Sequence, residues 1–405
     1  MKFVVVGCGT VGSTIAHLLA RNGITKSILL VDKNKKNLDL VEEKLFRMGN
    51  NMSTDKILIN CNSNEIKKIN ASKCIIVNAA SPECNIPLMM FCLENSCNYI
   101  DLASNPFEYP GVSKDTTLDS QLKLNSQFIQ KGLLAVTNTG FSPGFTDILC
   151  RYLVDKYHLK KISSIEIFFG EKIVADSLTC SWSPYTLLLE TLSPPTILKD
   201  GKIQELGKFE TIKVVDFGNP LGKIKVRVFS GHPELRTIPE FLEIPVNEII
   251  VGGGMFLNKL DLSDMIIAAL NDVTESNINI NGDILEILSK KFNNPENFFT
   301  DFKEGKIKEE LFTGLVKISA ETRDNQLNFS VNITKDIKEI IKNGFECSVA
   351  SYVVAFIPTA IAILLASGKI RQTGVIAPAK MDGSQKIISM IKSMGLNFRI
   401  KVKKG

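Results

Sequence analysis

The run Phe3-Val4-Val5-Val6-Gly7-Cys8-Gly9-Thr10-Val11-Gly12 constrains this chain more than any other stretch. Four apolar residues suit a strand buried on both faces. The glycines that follow have the G-x-G-x-x-G spacing that carries a strand into a helix. In a nucleotide-binding turn Gly7 makes the bend, Gly9 lets a pyrophosphate approach the backbone, and Gly12 lets helix and strand pack closely. The helical pattern Val11, Ile15, Leu18, Leu19, entered through Thr10, would offer its free N–H groups and positive end to phosphate. A glycine triplet alone is weak. Here an acidic residue, Asp32, closes the next apolar run (28–31) and stands 20 residues after Gly12, where a ribose hydroxyl needs an acceptor. The expectation is a Rossmann domain that binds NAD or NADP. Asp32 would repel a 2′-phosphate and favour NAD, whereas Lys33, Lys35 and Lys36 could offset that repulsion; the balance leans slightly to NAD.

The same rhythm continues to about residue 140. Apolar runs at 57–59, 75–77, 99–102 and 133–136 alternate with helical patterns at 36–48, 86–94 and 118–131. Strands separated by helices imply right-handed crossovers and a doubly wound parallel sheet. Ligands of such sheets lie at the carboxyl ends of the strands. Two loops fall there: Asn78-Ala79-Ala80, whose small residues would admit the nicotinamide side of the cofactor, and Ser142-Pro143-Gly144-Phe145-Thr146-Asp147, which turns into a helix. Beyond residue 160 the pattern changes to period two, with a hairpin around 218–222 and another around 323–325. Helical patterns at 262–273 and 284–292 belong beside these strands, and 293–308 reads as loop-rich. The fold class expected is α/β: a Rossmann sheet completed by a C-terminal strap, plus a second α+β substrate domain with a mixed or antiparallel sheet. The expected division is 1–140, 141–344 and a returning segment 345–405 that ends in a strand at 398–402.

A net charge of +5 over 405 residues, without a long basic block, argues against a nucleic-acid partner. Nine irregularly spaced cysteines with no C-x-x-C pair argue for reduced thiols in the cytoplasm, not a disulfide framework or a metal site. A strand that begins at residue 2 leaves no room for a signal peptide. The uncharged stretch 347–368 is long enough to span a bilayer, but its Ser348, Ser351, Tyr352, Thr359 and central Pro358 fit a buried helix better, so no membrane is expected as a partner.

Six segments together resemble the saccharopine dehydrogenase (saccharopine reductase) family, which includes the lysine 6-dehydrogenases. They are Gly7-Cys8-Gly9-Thr10-Val11-Gly12, Asn78-Ala79-Ala80, Tyr99-Ile100-Asp101, Gly140-Phe141-Ser142-Pro143-Gly144, Ser181-Trp182-Ser183-Pro184 and Gly374-Val375-Ile376-Ala377-Pro378. The resemblance implies a nicotinamide cofactor, a homodimer formed through the substrate domain, and hydride transfer at the C–N bond of an amino-acid substrate of lysine or saccharopine type. It departs from the saccharopine-forming pattern at Ser142, where those reductases carry aspartate, and at Thr146-Asp147, where they carry Asp-His. Their lysine also has no counterpart near Phe91-Cys92. A lysine 6-dehydrogenase or a carboxy-polyamine dehydrogenase is the alternative, and a dinucleotide-binding regulatory protein without turnover is a third.

Amine oxidation needs a proton shuttle and a site for substrate charge. His232, in a loop after a strand and two residues before Glu234, is the histidine suited to it. Asp147 and Glu171 are the candidate carboxylates, Glu171 lying just past the strand-like run 165–169 as a group for a substrate amine. Ser142 and Pro143 would border the substrate, Trp182 would wall its cavity, and Arg236 is the cation for a substrate carboxylate. Each has a bland alternative: helix cap, edge carboxylate, core packing or surface ion pair.

Overall fold

The computed structural model describes residues 2–49, 52–61, 64–105, 114–207, 212–258, 260–262, 264 and 282–405. The chain forms two compact units. The first comprises Met1–Lys156, Arg236–Leu242 and Tyr352–Leu396, and the second Tyr157–Leu235, Glu243–Ser351 and Asn397–Gly405.

In the first unit, β1 (Phe3–Val6), β2 (Ser27–Asp32), β3 (Ser53–Leu58), β4 (Ile75–Asn78), β5 (Asn98–Asp101) and β6 (Leu134–Val136) join Gly374–Ile376 in a seven-stranded sheet. Its order is (374–376)-β6-β5-β4-β1-β2-β3, and every pairing is parallel. The strand residues of β1, β4 and β6 are all buried, which is why they read as unbroken apolar runs and not as alternation. Helices α1 (Thr10–Asn22), α2 (Lys35–Arg47) and α3 (Asn85–Asn95) make the crossovers. The helix expected over 118–131 is broken into α4 (Leu118–Leu122) and α5 (Asn125–Gln130). The chain runs outward from β1 through β2 to β3, then returns to β4 on the other flank of β1. That reversal places a switch point between β1 and β4, at whose carboxyl ends stand Gly7 and Asn78.

By its contacts the first unit runs on past residue 140 to Lys156 and so takes in most of α6 (Thr146–Tyr157). Strand 374–376 completes the Rossmann sheet, as the strap expectation requires. The final strand does not follow it. Arg399–Lys404 pairs antiparallel with Gln326–Asp336 in the second sheet. Its sequence, Arg-Ile-Lys-Val-Lys-Lys, is too charged for a strand buried on both faces and suits an exposed edge. The apolar helical stretch Val349–Ala366 is 89% buried.

The second unit holds a ten-stranded mixed sheet. Its axis is β7 (Lys161–Ala175), parallel to Val246–Leu257 on one side and antiparallel to Ile307–Glu321 on the other. Both expected hairpins are present, as Ile212–Asp216 with Lys223–Val228 and as Ile307–Glu321 with Gln326–Asp336. Residues 293–308 are more ordered than expected, with a helix at Phe298–Lys303. Residues 284–292 lie on a helix, Gly282–Ser289, and the turn after it, whereas most of the helix expected at 262–273 lies outside the described residues.

Candidate active site

The cofactor half is built by the first turn. Gly7 adopts φ +81°, and a Cβ there would lie 2.6 Å from the Ala80 nitrogen. A Cβ on Gly12 would lie 1.8 Å from the Gly7 oxygen. Both glycines are therefore demanded by the packing of the protein itself. Gly9 is different: at φ −67° and ψ −164° it has extended backbone open to any residue. Its small size is left to serve something that approaches the turn. Gly9 is the N-cap of α1 and brings no side chain to it, so an anion at the helix start would be met by backbone N–H groups. Thr10 and Val11 form that first turn.

Asp32 ends β2 buried. One carboxylate oxygen accepts from the Cys8 N–H at 2.6 Å and the other from the Asn34 N–H at 2.7 Å. Each oxygen keeps a lone pair, so the group can brace the phosphate turn and still accept from a ribose hydroxyl. Lys33, Lys35 and Lys36 are exposed beside it. Asn78 works inward: its amide donates to Asn85 (2.8 Å) and to Tyr99 Oη (3.2 Å), and its oxygen accepts from the Ala80 N–H. It shapes the Ala79-Ala80 loop that packs against Gly7. This turn, helix start and acidic strand end fit a dinucleotide.

Two sequence candidates in the first unit are tied into structure. Asp147 is fully buried and accepts from Thr237 Oγ1 (2.6 Å), the Gly144 N–H (3.1 Å) and Thr146 Oγ1 (3.3 Å). It braces the loop that contains half-buried Ser142 and buried Pro143. The Arg236 guanidinium makes a two-pronged contact with Asp119 (3.0 and 3.1 Å) and also binds Glu240 at 2.8 Å.

The second unit gathers the remaining candidates. Glu171 was expected just past a strand, but β7 runs six residues beyond Phe169 and places Glu171 inside it, on the face shared with Phe169. Across the antiparallel pairing Glu171 stands opposite Phe312, and Glu310 shares the Phe312 face. The two glutamates are buried and hydrogen-bonded to each other. Glu171 also accepts from Ser181 Oγ (2.5 Å), and Glu310 from the Val349 N–H (2.8 and 2.9 Å). Burial raises both, Glu171 to about 7 and Glu310 well above its usual value with the Glu171 charge adding to the effect. The pair thus shares a proton near neutrality.

His232 belongs to a second acidic group. Phe229, just before its loop, lies against the glycine run of Val246–Leu257; a Cβ on Gly253 would be 2.6 Å from its ring. The His232 ring stacks on Phe229 with centroids 5.6 Å apart and on Phe169 at 6.4 Å. Its Nδ1 is 2.9 Å from Glu234 Oε2, and its Nε2 faces Glu190 Oε1 at 3.8 Å, too long for a hydrogen bond. Burial alone would lower the histidine pKa, but the charges of Glu234 and Glu190 outweigh it and leave the pKa raised. Burial lifts Glu190 to about 7, countered by His232. Glu190 lies on α7 (Pro184–Leu192), whose start is capped by Ser183 through the Thr186 N–H at 3.2 Å. Its backbone oxygen accepts from the Ser230 N–H, which fastens helix to loop. Trp182, half-buried, packs on the apolar cluster of Cys180, Leu187 and Leu188.

Residues 3–136 match the family model of the saccharopine dehydrogenase NADP binding domain, and residues 140–396 that of the saccharopine dehydrogenase C-terminal domain. The chain belongs to the saccharopine dehydrogenase family. It is an oxidoreductase family whose first domain binds a nicotinamide dinucleotide. Carboxynorspermidine synthase of Vibrio cholerae is 26% identical over 283 residues, 65% of this chain and 65% of that protein. Carboxyaminopropylagmatine dehydrogenase of Synechocystis is 28% identical over 167 residues, 41% of this chain and 40% of that protein. The alignments thus span less than two thirds of either relative. Among solved structures, saccharopine dehydrogenase (L-Glu forming) from Saccharomyces cerevisiae superposes with a TM-score of 0.71 at 14% identity, covering 99% of both chains. Homospermidine synthase from Legionella pneumophila with NAD gives 0.69 at 14% identity, covering 100% of this chain and 91% of that one. These two establish the fold.

Within this family framework Glu190 and Glu310 were not found from sequence. Glu310 had a readable signal: it shares the period-two phase of Phe312, Val316 and Ile318, a charge on an apolar face.

The raised carboxyl groups predict a pH effect on stability. Folded Glu171 holds its proton up to about 7, whereas the unfolded chain releases it near 4.5, the usual value for a glutamate. Between these values the folded state binds more protons, so this contribution is full below the lower value and is lost as pH rises through the upper one. Glu171→Gln should flatten the fall in Tm across that window. An unchanged Tm-versus-pH curve would show that the pair does not hold the extra proton.

Proposed function

We propose that this protein is an NAD(P)-dependent oxidoreductase acting at the C–N bond of a carboxylated polyamine, joining or cleaving an amine and a carbonyl compound. The observation that carries this reading is the concentration of carboxylates within the second unit. Glu171, Glu234 and Glu310 are buried and Glu190 is part-buried, grouped around the ring stack of Phe169 with Phe229, His232 and Phe312. A buried carboxylate is costly by several kcal/mol unless a cation meets it, and aromatic faces add attraction for ammonium groups. A polyamine supplies several such charges. The sequence reading placed a lysine- or saccharopine-type amino acid first, with Arg236 for its carboxylate. Engagement of Arg236 by Asp119 and Glu240, together with the two polyamine-related enzymes among the sequence relatives, shifts the preference.

When bound, the nicotinamide supplies or accepts a hydride at the carbon of the C–N bond. The residues handle protons and charge. Glu234 holds the His232 Nδ1–H, which leaves Nε2 to take a proton from the substrate amine or return it to water as an imine forms or hydrolyses. Glu190, beside Nε2, stabilises the imidazolium and can pass the proton onward. Glu171 and Glu310 accept a distal ammonium once their shared proton leaves. Asp32 makes NAD the preferred dinucleotide, and the proposal includes a cytoplasmic homodimer, checked by its mass in solution.

The test is a panel assay followed at the absorbance of reduced nicotinamide. It pairs NAD and NADP with carboxylated polyamines, saccharopine, lysine and uncarboxylated polyamines. The expected result is turnover of a carboxylated polyamine with kcat/KM at least about 100-fold above saccharopine and lysine, a margin of the size that unpaired buried polar groups impose on the wrong substrate. Turnover of saccharopine alone would overturn the substrate class.

A further inference from the structure

We propose that Cys74 and Cys97 form a peroxide-sensitive dithiol that closes to a reversible disulfide at the amino-terminal edge of the Rossmann sheet. Cys74 immediately precedes β4 and Cys97 immediately precedes β5. These strands are parallel neighbours in the register Ile75↔Asn98, so the two cysteines are side by side one position earlier. The Asn98 N–H donates to the Cys74 oxygen at 2.9 Å, which fixes that register up to the cysteines. Their sulfurs are 3.0 Å apart, and neighbouring positions on paired strands fall within the Cα range that a disulfide spans. The sulfurs must approach by about 1 Å to reach disulfide bonding distance.

Both thiols belong to the apolar core of the first unit. Both side chains are buried, yet each follows an exposed turn residue with positive φ, Lys73 at 48° and Ser96 at 54°. The Cys74 S–H and the backbone N–H groups of Cys74 and Lys73 donate to the Cys97 sulfur and lower its pKa against the opposing effect of burial, which favours the thiolate form that attacks oxidants. Buried Cys92, the next nearest thiol, has its pKa pushed well above normal and remains protonated.

The oxidant is hydrogen peroxide. The Cys97 thiolate attacks one peroxide oxygen, the O–O bond breaks, and hydroxide leaves to take up a proton as water, so Cys97 becomes a sulfenic acid. The Cys74 sulfur then attacks the Cys97 sulfur, the S–O bond breaks, and a second water leaves with the Cys74 proton. Two electrons pass from the thiols to the peroxide, and the protein loses two hydrogen atoms. A dithiol reductant reverses the change. The bond would pin β4 to β5 at the end of the sheet opposite Gly7 and Asn78, stiffening the unit without entering the cofactor turn.

The experiment exposes the full chain to a small excess of hydrogen peroxide, quenches with catalase, denatures it in iodoacetamide and maps the peptides. The expected product is a peptide pair cross-linked through Cys74 and Cys97, cleaved by dithiothreitol, with the other seven cysteines alkylated. The oxidised protein should melt roughly 5–10 °C higher, and Cys97→Ser should show neither change. Free alkylation of both residues after peroxide, a cross-link through Cys92, or Cys97 sulfinic acid without a cross-link would overturn the proposal. Mapping of the wild-type chain decides the matter even if a serine variant folds poorly.

Discussion

Replacing His232 by alanine is expected to lower kcat roughly 10²–10⁴-fold, equivalent to about 3–5 kcal/mol of barrier, while the dissociation constant of the dinucleotide stays within about twofold. The split follows from position. His232 belongs to the second unit, with Glu234 on Nδ1 and Glu190 facing Nε2, whereas the dinucleotide turn belongs to the first. The ring is held by Phe169 within β7 and by Phe229 just past the end of Lys223–Val228, and His232 itself lies outside the strands, so truncation should leave the sheet intact. Glu234→Gln provides a finer reading. It keeps an acceptor for Nδ1 but removes the charge that raises the histidine pKa, so the acidic limb of the pH–kcat profile should move to lower pH. Full activity in His232→Ala, or an equal loss of cofactor affinity, would remove His232 from the proton path.

The second large effect separates two glycines that are alike in sequence. Gly9→Val should weaken dinucleotide binding by about 100-fold or more, the worth of one or two charge-assisted hydrogen bonds to phosphate, with little change in Tm. Gly12→Ala should instead lower Tm, because its Cβ would be forced to 1.8 Å from the Gly7 oxygen. The contrast arises because the Gly9 backbone is open to any residue, whereas the space at Gly12 is already filled by the protein. Calorimetric titration and thermal melts of both variants check it. A Gly9→Val protein that binds as tightly as wild type would place the pyrophosphate elsewhere.

The parallel sheet was legible because its strands are buried on both faces: runs such as Phe3–Val6 and Ile75–Val77 leave no choice of period. Asp32 was legible because a strand end fixes its place. The second unit was harder. β7 carries Ser163, Glu166, Glu171 and Lys172 among its apolar residues, which made it read as a short strand ending before Glu171. Its polar residues are tolerated because neighbouring strands, Ser181 and Glu310 satisfy them. The last strand misled for a different reason. Its order after a Rossmann strand suggested a return to the first sheet, whereas its lysines required an exposed edge. Asp147 and Arg236 illustrate the limit of residue type as a guide. Both have the right chemistry, but the partners that engage them, Thr237 for one and Asp119 for the other, are distant in sequence.

Reduced dinucleotide carrying two deuterium atoms at C4 of the nicotinamide tests the central claim most directly, with the reaction run in the direction that forms the carboxylated polyamine. The product should carry one deuterium on the carbon bonded to the newly formed secondary nitrogen, as read by mass spectrometry and NMR. Deuterium at any other carbon, or a product free of label while the dinucleotide is oxidised, would contradict hydride transfer at the C–N bond.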